Sequence, residues 1–410
     1  MKKDGTNTLT TAPALFFAVI LLSVGIPAQA QTISGVLDTQ LAGGALSSGE
    51  KPEFFWGLEE YANVRLQAKI KDKAAFYSAV NLIAASGSFA RAAGALALMA
   101  PQSPGQEAGL PGTAPSAFIS GENYIAGIEL ERLYFRLSTD HIGFDAGLMR
   151  MPFGYGQVWG SSDFLNPRNP LLPNARPRGI LGSSLSFYPS DTSKTMIFAS
   201  APKDPFNQKG EGVIFGITEE NHWDKASAQF LYAYETPTEI SSSAGLHRGG
   251  ISVKADLEVG LVADVLYTWN PDGDFDLDGL SAGAGFDYSF LDGTCYVLLE
   301  YLYNGAASST SKNFNSLTGF SNKNYLYGIF RYSFNDFTAA SLGGIASFDD
   351  VSFTPIAAVE YDIFQGMNLT VTVQAPLDRD ILFGDGNQGE LGPKKTGSYV
   401  NVSTLLRLRF

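Results

Sequence analysis

The chain has 410 residues, a formal net charge of −13 and only 17% charged residues. This acidic balance excludes a nucleic-acid partner, because binding to phosphates needs clustered basic side chains. The single cysteine, Cys295, excludes an internal disulfide framework, and we expect its thiol to be buried or to face lipid. Glycine and aromatic residues are abundant, as is typical of membrane β-barrels.

Residues 1–30 have the three parts of a secretory signal peptide. Two lysines follow the initiator methionine, residues 14–24 are apolar, and the Ala-Gln-Ala at 28–30 provides a cleavage site. The apolar run is too short to cross a bilayer as a helix, which needs about 20 residues. We therefore predict a cleaved signal peptide, with an uncleaved anchor helix as the alternative, and one mature domain over residues 31–410.

The rest of the chain repeats short segments in which apolar and polar side chains alternate. Residues 53–70 show this best, because Trp56 and Val64 fall on one face while Asn63 and Arg65 fall on the other. Alternation with period two predicts β-strands. The predicted strands are 33–42, 53–70, 73–85, 121–138, 142–150, 179–188, 193–201, 211–219, 225–236, 247–257, 259–270, 279–290, 294–304, 322–334, 337–348, 351–363, 367–376 and 397–410.

Short turns alternate with long loops between these strands, and Asp349-Asp350 is the one exception. Outer-membrane barrels place short turns in the periplasm and long loops outside, whereas a β-sandwich has no reason to sort its connections in this way. We predict a closed antiparallel transmembrane β-barrel of eighteen strands, with sixteen as the alternative. A barrel of that size has room for an aqueous lumen.

Residues 151–178 are unlike the strands around them. They contain five prolines, Trp159 and the arginines Arg168, Arg176 and Arg178. Proline cannot join a hydrogen-bonded ladder, and a long segment rich in rigid and bulky residues is expected to pack against a surface. We predict that this segment folds inward against the lumen wall and narrows the pore. An ordered external lid is the alternative.

The run GLMRMPFG at 147–154, with Arg150 ahead of Pro-Phe-Gly, resembles the strand-end motif of the phosphate-selective and related porin group. In that group the motif precedes a constricting loop. The following Trp159-Gly160, Asp163 and Asn166-Pro167 also resemble a loop motif of other large bacterial barrels. The resemblance implies a porin-like barrel. It implies no substrate, because the lysine-rich lumen of a phosphate-selective pore is not evident.

The direction of the charged side chains follows from the same alternation. If the apolar faces point to lipid, then Lys69, Arg407 and Arg409 point into the lumen, together with Asp145 and Glu300. Charges in a pore favour ions of opposite sign, so we predict a mild anion preference. Alternatively, the arginines pair with loop carboxylates and only brace the wall. The predicted constriction and lumen residues are Arg65, Arg132, Arg136, Arg150, Trp159, Arg168, Arg176 and Arg178.

Asp274, Asp276 and Asp278 alternate like the first ligands of a calcium loop. The twelfth position from Asp274 is Gly285, so the bidentate glutamate of such a loop is missing. We interpret the run as a solvated acidic turn, keep the three aspartates as a weak metal candidate, and predict no cofactor.

The last strand alternates and ends on Phe410, which resembles the C-terminal signal of bacterial outer-membrane β-barrels. We expect it to pair with residues 33–42 and to be recognised by the barrel-assembly machinery. The expected location is the bacterial outer membrane, in contact with its lipid and lipopolysaccharide.

The function predicted from these features is passive diffusion of small hydrophilic solutes through a channel. A barrel without a channel, serving adhesion or a structural role, is the alternative, and uptake of hydrophobic solutes would need an apolar lumen groove. We predict no enzyme, because no motif brings His141, His222 or His247 together with a serine or an acid. The solute and the oligomeric state remain open.

Overall fold

The computed structural model describes the greater part of the predicted mature chain. The described residues are 30–47, 52–70, 73–87, 116–121, 123–166, 170, 179–201, 212–237, 245–273, 275–308, 320–383, 389–391 and 398–410. The predicted signal peptide therefore lies outside the described residues except for Ala30. Among the described residues, no helix combines the length and the apolarity needed to cross a membrane.

The described residues form nineteen strands and three single-turn helices. The strands are β1 (Ala30–Ser47), β2 (Pro52–Ile70), β3 (Ala74–Gly87), β4 (Ser116–Ser120), β5 (Tyr124–Ser138), β6 (Ile142–Met149), β7 (Ile180–Ser190), β8 (Ser193–Ser200), β9 (Ile214–His222), β10 (Ala226–Glu235), β11 (Leu246–Asp256), β12 (Gly260–Trp269), β13 (Leu280–Phe290), β14 (Cys295–Asn304), β15 (Asn324–Asn335), β16 (Thr338–Ser347), β17 (Ser352–Phe364), β18 (Met367–Gln374) and β19 (Ser398–Arg409). The helices are the 3₁₀ turns Leu277–Gly279 and Gly305–Ser308 and the α-helical turn Arg379–Phe383.

The strands close into one antiparallel barrel. Strand β1 pairs with β2 on one side and with β19 on the other, so the ring has no open edge. Strand β4 pairs only with residues 125–129 of β5, past the end of β6, and extends the wall without spanning it. Without β4, eighteen of the nineteen strands form the ring. The predicted eighteen-strand barrel is confirmed, whereas the sixteen-strand count and the β-sandwich are wrong.

The two faces of the wall differ in chemistry. On β11 and β12 the exposed Ile251, Val253 and Val265 alternate with the buried Ser252 and Asp264. Side chains alternate across a strand, so one face of the closed sheet is apolar and exposed while the other is polar and enclosed. An exposed apolar outer face is what a barrel presents to lipid.

Aromatic side chains cluster on the outer face near the long-loop ends of β10, β11 and β12. Trp269 stacks on His247 at 5.4 Å and on Tyr267 at 6.0 Å between ring centroids. The Tyr232 hydroxyl lies 2.7 Å from Nδ1 of His247. Aromatic girdles of this kind mark the interface between the apolar band and water in barrels. We refer to the two rims of the barrel as the long-loop end and the short-turn end.

The seam between β1 and β19 closes the ring. Val36 pairs with Arg409, and the backbones of Gly35 and Phe410 exchange two hydrogen bonds of 2.8 and 3.1 Å. On the inner face Arg407 donates two hydrogen bonds of 2.8 Å to the Asp38 carboxylate across the seam. The predicted pairing of the last strand with residues 33–42 is confirmed, and Arg407 points inward as predicted.

Deletion of Phe410 should reduce the amount of folded barrel. The deletion removes both hydrogen bonds to Gly35 and the terminal aromatic ring at the closing seam. The folded fraction in outer-membrane preparations can be measured by the shift in gel mobility between unheated and heated samples. Phe364→Ala, which removes another exposed aromatic near the short-turn end, is the control and should leave this fraction unchanged. Normal levels of the folded truncated protein would contradict the expectation.

Candidate functional site

The residues that follow β6, 150–166, form an ordered segment with little regular structure. We call them the docked segment, because they pack on the enclosed face of the wall. The wall side chains that bind them include Gln229 on β10, Ser252 on β11, Asp264 on β12 and Glu300 on β14. All four side chains are buried on the enclosed face. Of the predicted loop arginines, Arg168, Arg176 and Arg178 lie outside the described residues.

Glu300 is the main acceptor for the docked segment. Its carboxylate accepts the backbone N–H groups of Gln157, Val158 and Trp159 at 2.9, 3.1 and 2.8 Å. The indole Nε1 of Trp159 also donates to the backbone oxygen of Glu300 at 2.9 Å. Glu300 is only 2% exposed, and a charge buried to this extent needs several donors to offset the loss of water.

Asp264 repeats this arrangement two strands away. Its carboxylate accepts the backbone N–H groups of Tyr155 at 3.0 Å and of Gly156 at 2.7 Å. Just before them, the N–H of Gly154 donates to the side-chain oxygen of Gln229 at 2.9 Å. Six consecutive N–H groups, from Gly154 to Trp159, thus find acceptors on the wall.

Gly154 of the Pro-Phe-Gly motif and Gly156, two residues later, have a steric role. Gly154 has a φ of +80°, and a Cβ there would lie 2.2 Å from the Ser162 hydroxyl oxygen. A Cβ on Gly156 would lie 2.8 Å from the Asp264 carboxylate. Only glycine gives the backbone this conformation and this close approach without strain.

Trp159 is fully buried between the docked segment and the wall. It packs against Phe320 edge-on at 5.5 Å and lies 5.7 Å from the ring of Tyr325, with Leu302, Ile345 and Leu391 completing the cluster. Trp159 was predicted to line the constriction. Its buried position makes it an anchor of the docked segment, with no surface open to solvent.

A second apolar cluster holds the two ends of the docked segment. The ring of Phe153 lies 5.4 Å from Phe164 and 5.0 Å from Phe198 of β8. The guanidinium of Arg248 lies 4.9 Å above the ring of Phe164 and is paired with Glu235 at 2.7 Å. Apolar packing therefore complements the hydrogen bonds at both ends of the segment.

Residues 389–391 connect this site to the long-loop end. Leu391 belongs to the Trp159 cluster, and the Glu390 carboxylate accepts the backbone N–H of Asn322 at 3.1 Å. The backbone N–H of Glu390 in turn donates to the Asp350 carboxylate at 2.5 Å. Burial alone would raise the pKa of Asp350, but hydrogen bonds from Glu390, Ser352 and Asn322 hold it below its usual range.

The predicted lumen arginines lie on the enclosed face and most of them have partners there. Arg136 is paired with Asp145 through two hydrogen bonds of 2.7 and 2.9 Å. Arg150 contacts Glu131 at 3.0 Å, and Arg132 lies 3.4 Å from the same carboxylate. These acidic partners belong to wall strands β5 and β6, whereas the alternative from the sequence expected loop carboxylates.

Arg65 differs from the other arginines. Its Nε donates to the side-chain oxygen of Asn63 at 2.5 Å, and the guanidinium is exposed. The charge of Arg65 therefore has no acidic partner among the contacts of the described residues.

A cavity of about 430 Å³ lies beside the start of the docked segment. Its lining includes Arg136, Arg150, Tyr155, Lys194 and Glu220. The Tyr155 hydroxyl donates to Glu220 at 3.0 Å, and both burial and this carboxylate raise the pKa of Tyr155. Within the described residues, the ammonium of Lys194 has neither a hydrogen bond nor an ion pair.

Sequence reasoning missed the roles of Asp264 and Gln229. Asp264 stands alone among the apolar residues of β12, and Gln229 comes just before the equally apolar second half of β10. A carboxylate in the middle of a barrel strand, at a position that points inward, was the available signal. Alternation alone does not indicate what such a residue binds.

The candidate acidic turn contains local hydrogen bonds. Asp276 caps the 3₁₀ turn by accepting the N–H of Asp278 at 3.0 Å, and Asp278 lies 3.3 Å from Lys323. Asp274 is outside the described residues. In the part of the chain that the structure describes, no group of three or more His, Cys, Asp and Glu side chains could hold a metal ion.

The histidines bear on the possibility of catalysis. His222 at the short-turn end lies 2.9 Å from the Ser227 hydroxyl and 3.6 Å from Glu220. Its side chain is 47% exposed, whereas serine hydrolysis depends on groups fixed in a site that excludes water. That the chain is not an enzyme stays a prediction.

No family model matches this chain, and no curated protein matches it. Several solved structures are similar to it in fold. OccAB4 of Acinetobacter baumannii superposes with a TM-score of 0.52 at 11% identity, covering 94% of this chain and all of that one. OccK7 (OpdD) of Pseudomonas aeruginosa superposes with a TM-score of 0.52 at 10% identity, covering 92% of this chain and 99% of that one. OpdQ of the same organism superposes with a TM-score of 0.52 at 11% identity, covering 93% of this chain and 99% of that one.

The chain has the fold of the bacterial outer-membrane porins. The likeness extends over nearly the whole length of both chains, so the porin fold accounts for the entire barrel. The predicted resemblance to porins is confirmed at the level of the fold.

Glu300→Gln should loosen the docked segment. Hydrogen bonds to a charged acceptor contribute about 1.5–3 kcal/mol each and neutral ones about 1 kcal/mol, so we expect docking to weaken by roughly 2 kcal/mol. A nitroxide label on Gln157→Cys, in a Cys295→Ser background, would report the mobility of the segment. The label should become more mobile in Glu300→Gln and stay unchanged in Glu360→Gln, a wall carboxylate that pairs with Arg331 instead. Equal mobility in both variants would contradict a role for Glu300.

Proposed function

We propose that this chain is an outer-membrane channel through which small hydrophilic solutes diffuse passively. The observation that carries the proposal is the one-sided docking of residues 150–166. The backbone N–H groups of Gly154 to Trp159 bind side chains of β10, β12 and β14, and in a ring of eighteen strands β12 lies directly across from β2. The enclosed face of β2 carries the exposed, charged Arg65 and Lys69. Because these charges are exposed to water and lie opposite the docked segment, they are compatible with an aqueous passage between that segment and β2.

In this proposal the docked segment selects solutes by size. Residues 151–166 form a constriction, and the six backbone N–H groups bound to the wall keep the width of the passage constant; the rest of the predicted constriction, up to residue 178, lies outside the described residues except for Pro170. Rigid positioning matters because a segment free to move would let the passage vary in width. The chain would reach the outer membrane through a cleaved signal peptide at 1–30 and be inserted by the barrel-assembly machinery. Lipid and lipopolysaccharide would surround it.

The proposal includes a mild preference for anions. The carboxylates of Asp264 and Glu300 accept hydrogen bonds from backbone N–H groups. Arg136 and Arg407 are neutralised by ion pairs with wall carboxylates. Among the described residues, Lys194 has no acidic partner, and neither do Arg65 and Lys69 opposite the docked segment. Uncompensated charges in a pore attract ions of the opposite sign, so the free cations favour anions.

Planar-bilayer recordings of the refolded protein test this proposal. Under a salt gradient we expect a reversal potential of the sign given by anion preference. Arg65→Gln together with Lys194→Gln should move it toward zero, because two uncompensated positive charges leave the lumen. Lys225→Gln, which removes a charge from a turn at the short-turn end, should leave it unchanged.

Cation selectivity of the native protein would reject the anion preference but not the channel. Liposome swelling separates the channel from a barrel that serves adhesion or structure. Failure of small sugars and ions to enter protein-containing liposomes would reject the channel itself.

A further inference from the structure

Glu59 carries a carboxylate on the enclosed face of β2. It shares that face with Tyr61 and Asn63, whose side chains donate to Asn81 on β3 and Glu131 on β5. The pairing of β2 with β1 and with β3 runs without a bulge, so alternation keeps Glu59 on the same side. Glu59 is exposed, and an exposed side chain on the enclosed face points into the lumen.

The carboxylate of Glu59 has no hydrogen bond or ion pair among the described residues. The residues beside it in the ladder are Gln40 on β1 and Ala85 on β3, and neither carries a charge. Asp38, the next inner position of β1 toward the short-turn end, is paired with Arg407. Glu59 therefore adds an uncompensated negative charge to the lumen, unlike the wall carboxylates that hold the docked segment.

The depth of Glu59 follows from its distance to the short-turn rim. Arg65 lies five residues from the end of β2 at Ile70, and Glu300 lies five residues from the start of β14 at Cys295. The strands of one barrel share one tilt, so Arg65 is level with the main acceptor of the docked segment. Glu59 lies eleven residues from the same end of β2, which exceeds the length of β14. It therefore stands on the long-loop side of the docked segment.

The charges of β2 form two zones along the passage. Six residues separate Glu59 from Arg65, and Lys69 lies four residues further toward the short-turn end. At roughly 3.3 Å per residue, Glu59 and Arg65 are about 20 Å apart along the strand. The Debye length at 0.1 M salt is about 10 Å, so neither charge cancels the field of the other. A solute that enters from the long-loop end meets the negative zone first and the positive zone second.

We propose that Glu59 is a specificity-determining residue that makes the channel discriminate against anions with more than one negative charge. The inference rests on the proposed channel, to which it adds a barrier in front of Arg65 and Lys69. Repulsion by Glu59 grows with the charge of the anion, whereas the cations deeper in the lumen act only after the anion has passed. Neutral solutes and monovalent anions are the class that passes most readily.

The size of the barrier follows from Coulomb's law. A carboxylate lowers the local concentration of a monovalent anion about 4 Å away roughly fivefold in bulk water. Each further negative charge on the solute lowers its concentration by about the same factor again. Divalent sulfate therefore meets a higher barrier at Glu59 than monovalent chloride does.

The order of the two zones also affects the direction of current. The negative zone collects cations and the positive zone collects anions. A voltage that is positive at the long-loop end drives each kind of ion out of its own zone toward the other, so the lumen fills with carriers. The opposite voltage drains the lumen of carriers. The channel should therefore pass more current when the long-loop end is positive.

Planar-bilayer recordings at 0.1 M salt test the inference. Glu59→Gln should raise the permeability of sulfate relative to chloride, by up to about fivefold, and should weaken the rectification. Glu60→Gln is the matched control, because this next residue of β2 lies on the outer face, where it accepts a hydrogen bond from Thr39 at 2.8 Å. It should behave like the wild type. At 1 M salt the Debye length is about 3 Å, so the effect of Glu59→Gln should shrink.

The same recordings separate failure of this inference from failure of the channel. If the wild type conducts and Glu59→Gln matches it in sulfate permeability and in rectification, the role of Glu59 is rejected while the channel stands. Equal changes in Glu59→Gln and Glu60→Gln would also reject that role, because only one of them alters the charge of the lumen. A wild-type barrel that passes no ions rejects both proposals. The heat-dependent gel shift verifies that each protein is a folded barrel.

Discussion

The buried carboxylate of Glu300 is the interaction on which the docked segment depends. A segment without regular structure can stay inside a barrel only if its backbone N–H groups find acceptors, because each unpaired buried group costs free energy. Glu300 accepts three such groups and Asp264 accepts two. Trp159 then fills an apolar pocket of the wall beside Glu300. Charge and packing together hold the segment against one side of the ring.

This arrangement pairs many of the charges of the lumen. The carboxylates on β12 and β14 accept backbone N–H groups of the docked segment. Arg136 and Arg407 form ion pairs with wall carboxylates. Among the described residues, Arg65 and Lys194 have no acidic partner, and in the proposed channel they are the cations that a solute would meet. Selectivity in this account therefore follows from which charges remain unpaired, and the net charge of the chain is a poor guide to it.

Strand positions could be predicted because period-two alternation is a local property, and each spanning strand was found. Strand β4 was missed, since five residues paired only with β5 show too little alternation to be recognised. The partners of the docked segment were not predictable for another reason. Asp264 and Tyr155 are 109 residues apart, and nothing local to either indicates that they meet. Trp159 was singled out correctly as unusual, but its burial depends on residues of three strands and on Leu391.

Single-channel conductance of the Asp264→Asn, Glu300→Gln double variant tests the central claim most directly. If the two carboxylates hold the segment that narrows the pore, the variant should conduct more than the wild type, with larger current fluctuations as the segment moves. Glu360→Gln, which leaves the docked segment untouched, should conduct like the wild type. An unchanged conductance in the double variant, with the barrel folded, would contradict the account.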